Sequence, residues 1–133
     1  MLPKLNGIDH IHVYVKSWSE AEPWYRDVLG FTRLEAFEVW AVDGGPLTLE
    51  DQSGKVHLAL FESAQAPTST IAFGASGEEF LAWKTHLEDH SLKLRISDHT
   101  LAWSLYFHDP FGNMHEITTY DHAHVAQHLQ RGD

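Results

Sequence analysis

The 133 residues make one domain of ordinary length, enough to bury roughly two-thirds of the unfolded surface, and 43% hydrophobic with 12% aromatic residues excludes a disordered chain. Nine Lys and Arg against nineteen Asp and Glu give a formal charge of −10, which argues against nucleic acid and anionic membrane as partners, because both are held by cations. Cysteine is absent, so disulfides, thiolate nucleophiles and thiolate metal sites are excluded, and any metal must be held by His, Asp or Glu.

No stretch has the roughly 18 apolar residues of a membrane span, and no charged region with an apolar signal core opens the chain. A cytoplasmic protein without a membrane partner is therefore expected. The eleven histidines are the first pointer to chemistry.

In chain order, Gly7–Val15 is β-branched and alternating, which predicts a strand with His10, His12 and Tyr14 on one face. Ser17-x-x-Glu20 reads as a capping box, followed by the apolar stripe Ala21, Trp24, Val28 and a stop at Gly30, with Pro23 tolerated in the first turn. Strand-like runs at Thr32 to Val42 and Pro46 to Glu50 precede the turn Asp51 to Gly54 and a strand Val56 to Glu62. Ala64 to Pro67 reads as a linker.

The second half repeats this order. Ser69 to Phe73 is a strand, and Ser76-x-x-Glu79 is a capping box opening the stripe Phe80, Trp83, Leu87. Leu92 to Ile96 and Trp103 to His108 are strands, and the turn Asp109 to Gly112 leads into a strand Met114 to Tyr120. Each half is thus β-α-β-β-β. The expected fold is α+β, with two tandem βαβββ modules (about 5–63 and 68–121) forming a curved mixed sheet around an open cavity in a single 1–133 domain, and a short terminal helix over 122–130. The repeat is expected to pair the His10 strand with the Thr70 and Glu116 strands.

Alternation sets Met114, Glu116 and Thr118 on one face of the last strand, where a mid-strand carboxylate needs a partner; Glu116 either faces solvent or, as the favoured reading, serves as a ligand. His10 and His12 side by side favour a ligand role for His10 and leave His12 as ligand, supporting residue or general base. A one-residue difference between the two turns decides whether His57 or Leu58 faces the same way. With His57 inward, His10, His57 and Glu116 form a two-His, one-carboxylate set suited to Fe(II), Mn(II), Zn(II) or Ni(II). Tyr106 and Ser104 alternate onto one face of their strand and offer hydroxyls to a substrate oxygen, or a ring to the sheet. Trp40 and Trp103 either wall a pocket or pack in the core or a dimer interface.

Together, Ile8–Val15 followed by Trp24–Phe31, and Ser104–Ile117 near the end, resemble the opening and closing signatures of the vicinal oxygen chelate superfamily, with its glyoxalase, bleomycin-resistance, fosfomycin-resistance and extradiol dioxygenase members. The resemblance implies a divalent metal that binds two adjacent substrate oxygens, with His10 and Glu116 on ligand positions and a homodimer as the assembly. Two positions depart from the pattern. Thr70 stands where many members have a His, and His57 or Leu58 stands where glyoxalase-like members have a Glu, so His57 or His12 must supply a third ligand. The missing His at Thr70 weakens the dioxygenase and fosfomycin-resistance readings.

The leading expectation is a glyoxalase-like, metal-dependent lyase or isomerase acting on a small molecule, with His12 or Tyr106 moving a proton and Trp40, Thr70, Trp103 and Ser104 lining the substrate. The second is a metal-free protein that sequesters a small molecule between aromatic walls, as bleomycin-resistance members do.

Overall fold

The computed structural model describes residues 2–65 and 68–130, and its chain divides into two compact units at Thr68 and Ser69. Of the expected linker, Ala66 and Pro67 lie outside the described residues.

In the first unit, strand β1 (Ile11–Val15) is followed by helix α1 (Trp18–Trp24), which runs on as a π turn (Tyr25–Leu29); then come β2 (Thr32–Arg33), a 3₁₀ segment (Glu35–Trp40), β3 (Leu47–Glu50) and β4 (His57–Glu62). The sheet order is β1-β4-β3-β2, parallel between β1 and β4 and antiparallel elsewhere. The second unit has the same plan. Strand β5 (Thr70–Gly74), helix α2 (Gly77–Asp89), β6 (Arg95–Asp98), β7 (Trp103–His108) and β8 (Met114–Thr119) build a sheet of order β5-β8-β7-β6, and helix α3 (His122–Gln130) follows. The fold is α+β, two tandem modules each with its own four-stranded mixed sheet.

Register explains which face each unit buries. Ile11 pairs with Leu58 and Leu58 with Leu49; Val13 pairs with Leu60 and Leu60 with Leu47. Those rows point one way and are buried except for the partly exposed Ile11, together with Ala21, Tyr25 and Val28 from the helical segment. The intervening rows, His12 with Ala59 and Thr48, and Glu50 with His57, form the other, open face, on which Ala59 and Thr48 are themselves covered. In the second unit Leu105 and Ile117 are buried, while Glu116, Tyr106 and Arg95 share a row on the opposite face.

Several local expectations are corrected. The His10 strand does not pair with the Thr70 and Glu116 strands: β1 has its ladder with β4, and β5 has its ladder with β8. Strand β1 begins only at Ile11, so His10 precedes it. The run Thr32 to Val42 is a strand for two residues only and then a 3₁₀ turn. Spacing of i, i+3 puts Phe37 and Trp40 on one side of that turn, and their rings stack at 4.3 Å and 28°. A strand would have sent them to opposite faces.

Pro23 lies near the C-terminal end of α1 rather than in its first turn, two residues before the π turn begins at Tyr25. Proline has no N–H for the α-helical ladder, and widening of the next turn is a usual accommodation. Gly30 ends the segment as expected, at φ +75°. Only the second serine caps its helix: Glu79 N–H donates to Ser76 Oγ at 3.1 Å. At α1 the Ser17 hydroxyl bonds Ser19 Oγ instead, and Trp18 N–H reaches Glu62 Oε2 on β4 at 3.0 Å.

Candidate functional site

The open face of the first unit borders a cavity of about 550 Å³ whose lining includes Asp9, His10, Phe37, Trp40, Thr48, Glu50, His57 and Ala59. It is built from three pieces of chain. The residues just before β1 bring Asp9 and His10, the 3₁₀ turn brings the stacked Phe37 and Trp40, and the β3–β4 pair brings Glu50 and His57.

Two short relays run along this face. Asp9 Oδ2 lies 2.8 Å from His10 Nδ1, and His10 Nε2 lies 3.0 Å from His12 Nε2. In the neutral ring, donation from Nδ1–H to Asp9 leaves the lone pair of His10 on Nε2, where it accepts from His12. Separately, His57 Nε2 donates to Glu50 Oε2 at 2.8 Å. His57 is therefore on the cavity side, and Leu58 is fully buried on the opposite face.

A divalent ion fits this donor set by its chemistry. Nitrogens 3.0 Å apart are spanned by one ion at about 2.0–2.1 Å from each, and a carboxylate on the far ring nitrogen is the usual support of a metal-bound imidazole. The third donor is not assembled: among the described residues no three His, Asp or Glu groups gather around one point, and His57 is engaged by Glu50. His12, expected to move a proton, is the ring beside His10, whereas His57, expected as a ligand, is the ring held by a carboxylate.

The second unit has its own cavity of about 400 Å³, lined by Ser104, Glu116, Thr118, His99 and Tyr120 among others. Glu116 Oε2 accepts from the hydroxyls of Ser104 and Thr118, both at 2.7 Å, so the carboxylate is held by neutral donors rather than by a cation. Tyr106 bonds His99 Nε2 at 2.9 Å through its hydroxyl, and the Arg95 guanidinium sits 4.1 Å above its ring. Thr70 is exposed at the start of β5, beside Met114. Trp103 stacks on His122 and donates Nε1–H to its carbonyl oxygen at 3.2 Å, which ties β7 to α3. Of the expected second-unit residues, Ser104 and Glu116 line the cavity together.

Sequence reasoning missed Asp9, Glu50 and Phe37. An acidic residue next to His10 was a visible signal for Asp9. The pairing of Glu50 with His57 depends on the β3–β4 register and had no signal of its own.

Trp40 and Phe37 form the apolar wall, and truncation of a stacked aromatic that covers a ligand costs about 1–2 kcal/mol. The variant Trp40→Ala should bind a planar probe dye about tenfold more weakly in a fluorescence titration, while Trp103→Ala should leave that affinity unchanged. Equal weakening by both would remove the aromatic-wall assignment.

The sequence pattern of the Glyoxalase/Bleomycin resistance protein/Dioxygenase superfamily matches residues 7–117. Among solved structures, the chain is similar to the lactoylglutathione lyase of Agrobacterium tumefaciens, with TM-score 0.73 and 22% identity over 90% of this chain and 97% of that one. It is similar to an integron cassette protein from the mobile metagenome of the Halifax Harbour sewage outfall, with TM-score 0.74 and 22% identity over 86% and 99%. It also resembles the fosfomycin resistance protein FosX of Listeria monocytogenes, with TM-score 0.71 and 13% identity over 96% and 99%. At these identities the likeness speaks to the fold. No helix among the described residues is long and apolar enough to cross a membrane.

Proposed function

From the premise that the chain belongs to the Glyoxalase/Bleomycin resistance protein/Dioxygenase superfamily, we propose that it is a metal-dependent enzyme of lyase or isomerase type acting on a small molecule with two adjacent oxygens. Members of this superfamily generally use a divalent metal, bind small molecules and often form dimers. The observation that carries the proposal is the Asp9–His10–His12 relay, with its paired Nε2 atoms 3.0 Å apart, beside the cavity that His57 and Glu50 line.

His10 and His12 would hold the ion, and Asp9 would fix the His10 ring. The ion, when bound, supplies Lewis-acid polarisation of a substrate oxygen. His57 is the proton carrier of this proposal, and Glu50 orients its ring and stabilises its protonated form, as a carboxylate behind an imidazole does. The stacked Phe37 and Trp40 cover the substrate and exclude water. The cavity lining contains two carboxylates, Asp9 and Glu50, and no Lys or Arg, which favours a neutral or cationic substrate over a phosphonate or carboxylate.

The test is turnover of a panel of hydroxyaldehydes and hydroxyketones, followed by NMR, with protein reconstituted with Ni(II), Zn(II), Mn(II) or Fe(II). Removal of a positioned proton carrier costs about 10²–10⁴ in rate. The expected outcome is turnover that falls by that factor in His57→Gln and by less in Glu50→Gln, with the pH profile displaced in the latter. Turnover unaffected by His57→Gln would refute the proton-transfer role.

A second reading, a metal-free sequestering protein, is favoured by the Glu50–His57 bond, which occupies an imidazole, and by Thr70 in place of the pattern's His. It predicts ligand binding of equal strength with and without chelator.

A further inference from the structure

Helix α3, and the end of α2 with the residue that caps it, carry histidines four residues apart, outside either cavity. On α3, His124 and His128 have ring centres 4.3 Å apart at an interplanar angle of 48°. At the end of α2, His86 in its last turn and His90, the capping residue beyond it, repeat the ring spacing at 4.4 Å and 48°. In each pair the second ring donates its Nδ1–H to the backbone carbonyl of the first residue at 2.9 Å, His128 to His124 and His90 to His86. That bond also fixes the tautomer. The lone pair of His128 and of His90 is then on Nε2, the state a metal takes, with the other nitrogen supported by an oxygen.

Histidines at i and i+4 on a helix are a two-point chelator. Imidazole nitrogens suit Cu(II), Ni(II) and Zn(II), and among these ions a site of nitrogen donors binds Cu(II) most tightly.

We propose that α3, and the end of α2 together with its capping residue His90, each carry a two-histidine clip for a divalent transition-metal ion, Cu(II) before Ni(II) or Zn(II), separate from the first unit's donors. The ion takes one Nε2 from each ring and completes its coordination with water. The device occurs twice with the same geometry, and neither copy involves a residue placed in the proposed enzyme site.

The test is titration of the full chain with Cu(II), Ni(II) and Zn(II), in a His10→Ala, His12→Ala background so that the first unit's imidazoles do not contribute. Calorimetry should count two Cu(II) per chain, and the low-temperature electron paramagnetic resonance spectrum should carry the splitting of two nitrogens per copper. His128→Gln and His90→Gln should each weaken one site at least tenfold and leave the other intact, and Cu(II) should bind at least tenfold more tightly than Zn(II). Copper binding unchanged in both variants, a one-nitrogen spectrum, or Zn(II) binding as tight as Cu(II) would overturn the proposal. The nitrogen count is read on the chain with both clips intact, so it holds even where a variant does not fold.

Discussion

Acidification from pH 6.5 to about 4 is expected to remove about 3 kcal/mol of folding stability through His115 alone. The ring is fully buried on β8, flanked by the Phe73 and Phe107 rings at 5.9 and 5.7 Å. Burial pushes its pKa down to about 4; the nearby His108 pushes the same way, and Asp109 offsets part of the shift. Between the two values the unfolded chain binds a proton that the folded chain refuses, so stability falls as the pH falls through this window. Below about 4 both states are protonated at this residue and its contribution levels off. Urea unfolding at pH 7 and pH 4.5 should show the loss in the wild-type chain, and His115→Phe, which keeps an aromatic ring in an aromatic setting, should remove most of the difference. An identical pH slope in the variant would show that His115 is not the group responsible.

Asp109→Ala should destabilise the chain by about 3–4 kcal/mol, a large part of the 5–15 kcal/mol typical of a domain. The Asp109 carboxylate is nearly fully buried in the β7–β8 turn and accepts from Phe111 N–H at 2.8 Å and from Asn113 N–H and Nδ2–H at 2.9 Å. Asn113 Oδ1 in turn accepts from Ser69 N–H at 2.9 Å, so the turn also anchors the chain entering β5. Alanine leaves those donors without this acceptor in a buried position, each at a cost of about 1–3 kcal/mol before relaxation. Asp109→Asn, which keeps one acceptor oxygen, should recover part of the loss. A change under about 1 kcal/mol in denaturant unfolding would mean that water takes over the carboxylate's role.

The order of elements was legible because each strand of the repeat has apolar residues at every second position between turn-forming residues. Trp103–His108 is the clearest case, and the observed β7 has those bounds. Pairing was not legible, because alternation states which residues share a face and not which strand lies alongside. That is why β1 was expected beside the Thr70 strand and is found on β4. The same limit governed His57: the Ile11–Leu58 pair sets its direction, and a slip of one residue would have exchanged it with Leu58. The 3₁₀ turn was hidden because Phe37, Val39 and Ala41 alternate with polar or aromatic neighbours as a strand does, and only the i, i+3 stacking of Phe37 on Trp40 identifies it. Glu116 and Ser104 share a face as the alternation indicated, but the bond between them depends on the Ser104–Thr118 register that sets the two side chains diagonally across β7 and β8.

The most direct measurement of the central proposal is the metal content of untagged protein carrying His90→Gln and His128→Gln, with and without His10→Ala. These two helix substitutions remove the proposed copper clips from the count. Close to one Ni, Zn, Mn or Fe per chain, lost when His10 becomes alanine, is the predicted result. No ion in either protein, even after reconstitution with each metal in turn, would contradict the metal-dependent function and leave the sequestering role in its place.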